Sequence, residues 1–378
     1  MEKVVSARVR EVHASAKGVW TFIELTSSEG RLGSGEGTVH LGQERIAGVL
    51  GALANELVGK PAVPASLSWP AFGSTDFVDI SARSALDQAL TDLAAQAKGV
   101  SIARHFAAAP RPRVEVYANL NRRTRDRSPE SFAASAKKAA DADFHAVKIA
   151  PLDDVKPAMN LAEARPLVDA AVARAGAVRD TLGPDRRLLV DCHWRLNPAT
   201  AAYFLDAMTP LKPFWIECPY AEDADHYADI KAFRKAANGR GIYTAGCELL
   251  RAQEGFQPFI DGELYDVLMP DVKHAGGLGT MLKMAEVGAK RGIYLSPHNP
   301  TGPISHAHSV QLSAALPEFL ILEMQFDETG LFRTIADGAL PMPEAGIASV
   351  PEKPGLGLRL AKDEAIPAEA RGPASAAP

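Results

Sequence analysis

Apolar and polar positions follow one rule before residue 112 and another after it. Before it, Val4–Val12 and Val19–Leu25 (VWTFIEL) are short runs rich in β-branched and aromatic residues, which predicts strands. SSEG and GSGEG punctuate these runs and predict turns. Gln43–Leu57 and Ala82–Gln96 carry apolar residues at mixed three and four spacing, which gathers them on one helix face. Residues 1–112 therefore predict an α+β unit, with the Arg-Pro-Arg at 111–113 as its boundary.

After the boundary, apolar runs alternate with helical stretches. The runs are VEVYANL (114–120), AVKIAP (146–151), RLLVDCHW (187–194), PFWIECPY (213–220), IYTAGCEL (242–249), YDVLMPDV (265–272), GIYLSPHN (292–299) and FLILEMQF (319–326). Helical periodicity covers Pro129–Asp141, Leu161–Leu182, Ala199–Met208, Ile230–Ala237, Leu278–Arg291 and Ser305–Leu316. Eight strands with helices between most of them predict a single β/α barrel over residues 113–330. A doubly wound open sheet has the same periodicity, and the count of eight favours the barrel. After about residue 361 the chain is Ala/Pro-rich, and this tail is expected to be disordered.

Composition narrows the class. A chain of 378 residues suits two domains, and 47% hydrophobic with 23% charged residues is ordinary for a globular protein, which excludes disordered and fibrous classes. No stretch approaches the roughly 18 uncharged apolar residues of a membrane span, and MEKVVSARVREVHAS reads as a strand rather than a signal peptide. A net charge of −5 offers no basic footprint for nucleic acid. Three cysteines do not make a disulfide scaffold, so a cytoplasmic location is expected.

Chemistry collects at the C-terminal ends of the predicted strands, where barrel active sites form. Reading strand by strand, these ends carry Lys148, Asp191 with His193, Glu217, Glu248, Asp271, His298 and Glu323. Asp191, Glu217 and Glu248 are each one strand–helix–strand step apart, and neighbouring barrel strands lie about 4.8 Å apart, so the three carboxylates can converge. Such a set repels itself unless a hard cation intervenes, which points to Mg²⁺, with Mn²⁺ as a substitute. Cys192, Cys218 and Cys247 stand beside these acids and raise a zinc alternative. Strand alternation turns them toward the helices, which argues against thiolate ligation. Asp271 and His298 are again one step apart, and a carboxylate on one ring nitrogen makes a histidine a candidate general base. His193 shares the face of Asp191, whereas His145, His274, His306 and His308 lack such placement and are expected to be structural. Asn119, Asn121 and Arg195 are polar positions that can contact hydroxyls or carboxylates as readily as they can be solvated.

VDCHWR (190–195), WIECP (215–219), AGCE (245–248), PDVKHAGGL (270–278), SPHNPTGPI (296–304) and KPGLG (353–357), in this order, resemble the enolase superfamily, mandelate racemase subgroup. Within it they are most like the galactonate dehydratase-type acid-sugar dehydratases. The resemblance implies an α+β capping domain (1–112) over a modified TIM barrel, (β/α)7β (113–330), and a C-terminal segment (331–378) returning to the cap. It implies Mg²⁺ on Asp191, Glu217 and Glu248, and a sugar-acid substrate whose enediolate the metal stabilises. It implies that His298, oriented by Asp271, takes the α-proton and that His193 protonates the departing β-hydroxyl. Glu323 matches the carboxyl group that hydrogen-bonds the substrate carboxylate, and Lys148 the first lysine of a Lys-x-Lys motif. Family members are commonly homo-oligomers.

Two positions depart from the family pattern. Ala150 stands where racemases and cycloisomerases carry their second lysine, which argues against a two-base racemase using that lysine. Asp271 stands where the amino-acid and dipeptide epimerases carry another lysine, and Lys273 reads as a loop residue or substrate contact. Asn119, Arg195 and Lys273 are the substrate-binding candidates. The function expected is a Mg²⁺-dependent sugar-acid dehydratase. The rivals are a racemase or epimerase, then a cycloisomerase or a non-catalytic sugar-acid-binding barrel.

Overall fold

In the computed structural model, which describes residues 2–15, 18–71, 73, 76–363, 366–367 and 370–371, side-chain alternation sorts the barrel strands' apolar residues into two populations. Tyr117, Ala146, Leu189, Trp215, Ala245, Val267, Met269 and Ile321 form one cluster in the lumen. Their strand neighbours, among them Val116, Val147, Leu188, Val190, Ile216, Leu268 and Leu322, join the larger core under the helices. The strands are β4 (Arg113–Asn119), β5 (Ala146–Ile149), β6 (Arg187–Asp191), β7 (Trp215–Glu217), β8 (Tyr243–Gly246), β9 (Val267–Leu268), β10 (Tyr294–Leu295) and β11 (Leu322–Gln325), after the N-terminal β1 (Val4–Ser15), β2 (Gly18–Ser27) and β3 (Leu32–Glu36). The parallel order is β10-β9-β8-β7-β6-β5-β4-β11, and a bridge from Leu295 to Phe319 joins its two ends.

Helices α4 (Pro129–Asp141), α5 (Leu161–Leu182), α6 (Pro198–Met208), α7 (Tyr227–Asn238), α8 (Ala252–Gly262), α9 (Leu278–Ala289) and α10 (Pro303–Ala315) alternate with the strands, and the N-terminal unit carries α1 (Gln43–Asn55), α2 (Phe77–Ala97) and α3 (Ile102–Phe106). The architecture is the expected capping domain on a modified β/α barrel. The sequence pattern misses α8, because Gly255 and Pro258 interrupt its helical reading. Most barrel strands are shorter than their apolar runs. His193, Trp194, Cys218 and Cys247 adopt positive φ (48°, 57°, 48° and 79°) and turn the chain off the ladder. Beyond α11 (Leu331–Thr334), β12 (Ala336–Gly338) pairs with β14 (Leu358–Leu360), while β13 (Ile347–Ser349) adds antiparallel to β4. Much of the tail expected to be disordered lies outside the described residues. Among the described residues no helix is long and apolar enough to cross a membrane.

GSGEG, expected as a turn, forms most of a strand, β3, because its glycines meet a helix. A Cβ on Gly33 would lie 2.2 Å from the Ala89 carbonyl oxygen of α2, and one on Gly35 2.0 Å from that of Ala85. The strand gives up side-chain volume so that α2 can press on its backbone.

Buried carboxylates and an amide then dock this unit on the barrel. Glu36, fully buried, accepts hydrogen bonds from the Gly302 and Ser305 amides at the start of α10 (2.8 and 2.9 Å) and from the Thr301 hydroxyl (2.7 Å). Asp87 accepts from the Leu278 amide at the start of α9 (2.8 Å), and Asp92 from the Leu356 amide of KPGLG (2.8 Å). Gln88 donates to the Val272 carbonyl (3.2 Å). Carboxylates at helix N-termini satisfy otherwise unpaired amides and oppose the positive end of the helix dipole.

Two alanine substitutions test the reading of the glycines. Gly35→Ala must push α2 off the sheet, so the urea midpoint should fall, corresponding to about 1–3 kcal/mol. Gly48→Ala, inside α1 with nothing within 4 Å, should instead raise stability by about 0.5–1 kcal/mol.

Candidate active site

Asp191 and Glu217 are register partners at the ends of β6 and β7, and Lys148 rises from β5 in the same lumenal file. The Lys148 ammonium lies 2.8 Å from Glu217 Oε1, 3.1 Å from Glu323 Oε1 and 3.9 Å from Asp191 Oδ2, with every partner almost fully buried. These carboxylates raise its pKa well above the usual lysine value, against the opposing effect of burial. Beneath them Trp215 Nε1 donates to Glu217 Oε2 at 3.0 Å. The indole sits two residues before Glu217, on the same strand face, a signal readable from WIECP but not drawn from it.

The carboxylates do not share one environment. Burial pushes Glu217 up to about 7; Lys148 pulls it down, but burial with Asp191 and Glu323 outweighs that pull. Asp191 goes the other way, to about 2, because His193 and Lys148 outweigh its burial. Glu248 is pushed well above the carboxylate range, first by burial and then by Asp191 and Glu217. Its Oε2 atom is buried and makes no hydrogen bond. An orphaned carboxylate oxygen that two further acids destabilise fits an oxygen-ligated divalent cation, which would relieve Glu248 and Glu217. Ligand atoms of Asp191, Glu217 and Cys218 lie within 4.8 Å of one another, and Glu248, expected as the third ligand, stands outside this group among the described residues.

Cys218 corrects the alternation argument. Cys192 and Cys247 lie in the core under the helices, as expected, but the Cys218 sulfur lies within 4.8 Å of ligand atoms of Asp191 and Glu217. Burial, with Glu222, Glu248 and the other acids, pushes its thiol well up, so without a cation the sulfur stands among these acids as a neutral thiol. All three cysteines are free.

His298 Nδ1 lies 2.8 Å from Asp271 Oδ2, and His298 Nε2 3.5 Å from Glu248 Oε2. With Nδ1–H donated to Asp271, Nε2 is left as the basic nitrogen, facing the acids. Asp271 and His298 each sit three residues past their strands, β9 and β10, rather than on them. The same Asp271 oxygen takes the Lys273 ammonium (2.7 Å), and the Lys273 amide donates to Oδ1 (2.8 Å). Asp271 is held far below the usual range, because Lys273, His274 and His298 outweigh its burial.

His193 Nε2 lies 2.8 Å from Asp191 Oδ2, and Asp191 raises the imidazole pKa. A left-handed turn, not strand alternation, aims it there. Asn119 donates through Nδ2 to Glu323 Oε1, and the Asn299 amide to Glu323 Oε2 (3.1 Å). Arg195 does not join this group. Its guanidinium donates to the Asp153 and Val155 carbonyls and braces the loop after β5. Asn121 likewise ties strand ends together, accepting from the Ala150 amide (2.6 Å). His274, His306 and His308 are buried and bonded to the carbonyls of Glu248, Pro341 and Ser34.

A cavity of about 60 Å³ opens between the capping domain and the dyad, with Trp20, His40 and Phe77 on one side and Lys273 and His298 on the other. His40 and Arg122 line it too, and no motif in the sequence marks them.

A cap closing a parallel barrel, with acids and a paired histidine at its mouth, is the build of a cap-and-barrel enzyme. Residues 4–105 match the mandelate racemase / muconate lactonizing enzyme N-terminal domain, and residues 131–365 the enolase C-terminal domain-like family. The chain belongs to the enolase superfamily, in its mandelate racemase subgroup. It is 29% identical to a D-gluconate dehydratase of Thermoproteus tenax over 344 residues, 89% of this chain and 67% of that one. It is 28% identical to a D-galactonate dehydratase of Ralstonia nicotianae over 362 residues, 92% and 90% of the two chains. The fold matches a member of the enolase superfamily from Salmonella Typhimurium at TM-score 0.85, with 22% identity over 97% of this chain and 98% of the other.

Glu248→Gln separates metal binding from stability. A carboxyl raised in the folded protein contributes stability below its unfolded pKa and loses it as pH rises, so the Glu248 side chain costs stability at neutral pH. The variant should unfold at a higher temperature than the parent without metal, increasingly so from pH 5 to pH 8. Its Mg²⁺ affinity by calorimetry should fall about tenfold or more.

Proposed function

We propose that the protein is a Mg²⁺-dependent dehydratase of a sugar acid, an aldonate or an aldarate. The observation that carries this reading is the dyad: Asp271 holds His298 Nδ1, and the free Nε2 faces the carboxylate set across the mouth. The gluconate and galactonate dehydratases among its relatives support the same reaction class.

Asp191, Glu217 and Glu248 would hold the Mg²⁺. When bound, the ion supplies positive charge against the negative charge that grows on the substrate carboxylate. His298 Nε2 takes the proton α to that carboxylate, giving an enediolate, and Asp271, kept ionised, stabilises the imidazolium that results. His193 holds its proton more firmly than an ordinary imidazole and delivers it to the β-hydroxyl, which leaves as water. The enol that remains tautomerises to a 2-keto-3-deoxy sugar acid.

The resemblance assigns Glu323 a hydrogen bond to the substrate carboxylate, which requires the protonated acid. Here Lys148, His298 and Asn119 outweigh burial and hold Glu323 low, and its oxygens accept from Asn119 and Asn299. In this reading Glu323 anchors Lys148 and Asn119, and the Lys148 ammonium is the donor that meets the substrate. An epimerase is the second reading, with His193 as the opposite base. The bond from His193 to Asp191 favours its acid form, and Ala150 takes the place of the alternative lysine.

A panel of aldonates and aldarates, assayed for 2-keto acid, tests the reaction. Consumption without keto acid, or return of two deuterated epimers from D₂O, would overturn it. His298→Asn should lower kcat by about 10²–10⁴-fold and abolish α-proton exchange, with Mg²⁺ binding retained.

A further inference from the structure

The wall of the cavity away from the carboxylate set has a chemistry of its own. His40 and Gln43 come from the capping domain, and Arg122 and Lys273 from the barrel. Nearby acids are already engaged. Asp271 accepts from Lys273 and His298, and Glu328 Oε2 pairs with Arg122 at 3.1 Å. Arg122 also donates to the Pro300 carbonyl (3.2 Å), in the loop that carries His298. The side chains of His40 and Gln43 make no hydrogen bond among the described residues. Burial first, then the neighbouring His298, Lys273 and Arg122, lowers the His40 pKa against the opposing effect of Asp271.

A sugar acid held by its carboxylate at the acids and Lys148 runs past His298, which lies 3.5 Å from Glu248 Oε2 and lines this cavity, and its far end enters the cavity. On an aldonate that end is a primary hydroxyl, which both donates and accepts. On an aldarate it is a second carboxylate, which only accepts and carries charge. Arg122 and Lys273 each form one ion pair and keep further N–H donors, and with an imidazole and an amide beside them these donors match the second.

We infer that the wall formed by His40, Gln43, Arg122 and Lys273 is a subsite for a distal carboxylate, so that the preferred substrate is a diacid. The inference rests on the dehydratase reading and deepens it. It departs from the relatives above, which are named for monoacids.

The test uses the full-length, Mg²⁺-loaded enzyme with two matched pairs, D-galactonate against galactarate and D-gluconate against D-glucarate. Within each pair only the C6 group changes. The diacid of at least one pair should give keto acid with a kcat/KM at least tenfold above its monoacid. Arg122→Met and His40→Asn should each cut that ratio at least fivefold, through the KM of the diacid. A merely structural role would lower both members alike, and that result overturns the subsite. Equal or better turnover of both monoacids also overturns it. Keto acid from none of the four would sink the dehydratase reading instead. Calorimetry with the same acids then decides the subsite: tighter diacid binding supports it, and equal or tighter monoacid binding overturns it.

Discussion

Charge buried at the barrel mouth governs the arrangement. Lys148 is 1% exposed, and no such ammonium is tolerable without close counter-charges. Glu217 and Glu323 supply them, and Asn119 and Asn299 use further lone pairs of Glu323. Asp191 is balanced by His193. Glu248 has no hydrogen-bonding partner for its inner oxygen, and the set of acids is electrostatically incomplete at that corner. Strain of this kind belongs to binding sites rather than to folding, since a well-packed apolar lining would be at least as stable.

The capping domain reaches the same centre through helix ends. Asp87 sits on the first amide of α9, just past the loop with Asp271 and Lys273, and Glu36 on the start of α10, just past the loop with His298. Both partners of the dyad are therefore carried on loops whose far ends the cap holds. Glu323 fixes the near end of the second loop through Asn299. The relation between base and carboxylate is thus set by contacts on both sides of the cavity, and Arg122 adds a third through Pro300.

Much of this was legible from one chain. The repeat of apolar runs and helices announced the barrel, and a period of two along each run placed Lys148, Asp191, Glu217 and Glu323 in the lumen. The pairing of Asp271 with His298 followed from one repeat step between them. Failures came where local rules stop. GSGEG read as a turn because a glycine's packing against α2 is invisible in sequence. Cys218 and His193 lie past strand ends, where left-handed backbone replaces alternation. Arg195 was a polar residue near the right strand end whose partners, backbone carbonyls, have no sequence signature.

The sequence by itself determined the barrel, its inward and outward faces and the ring of ionisable strand ends, because periodicity and spacing are local properties of a chain. The tertiary structure alone decided which groups face the cavity from above and which acid is left uncompensated. Those outcomes depend on contacts such as Glu36 with Gly302, 266 residues apart, and on the balance of several buried charges at once. His40 illustrates the divide: nothing around it in the chain marks it, and docking of the cap places it over His298 and Lys273.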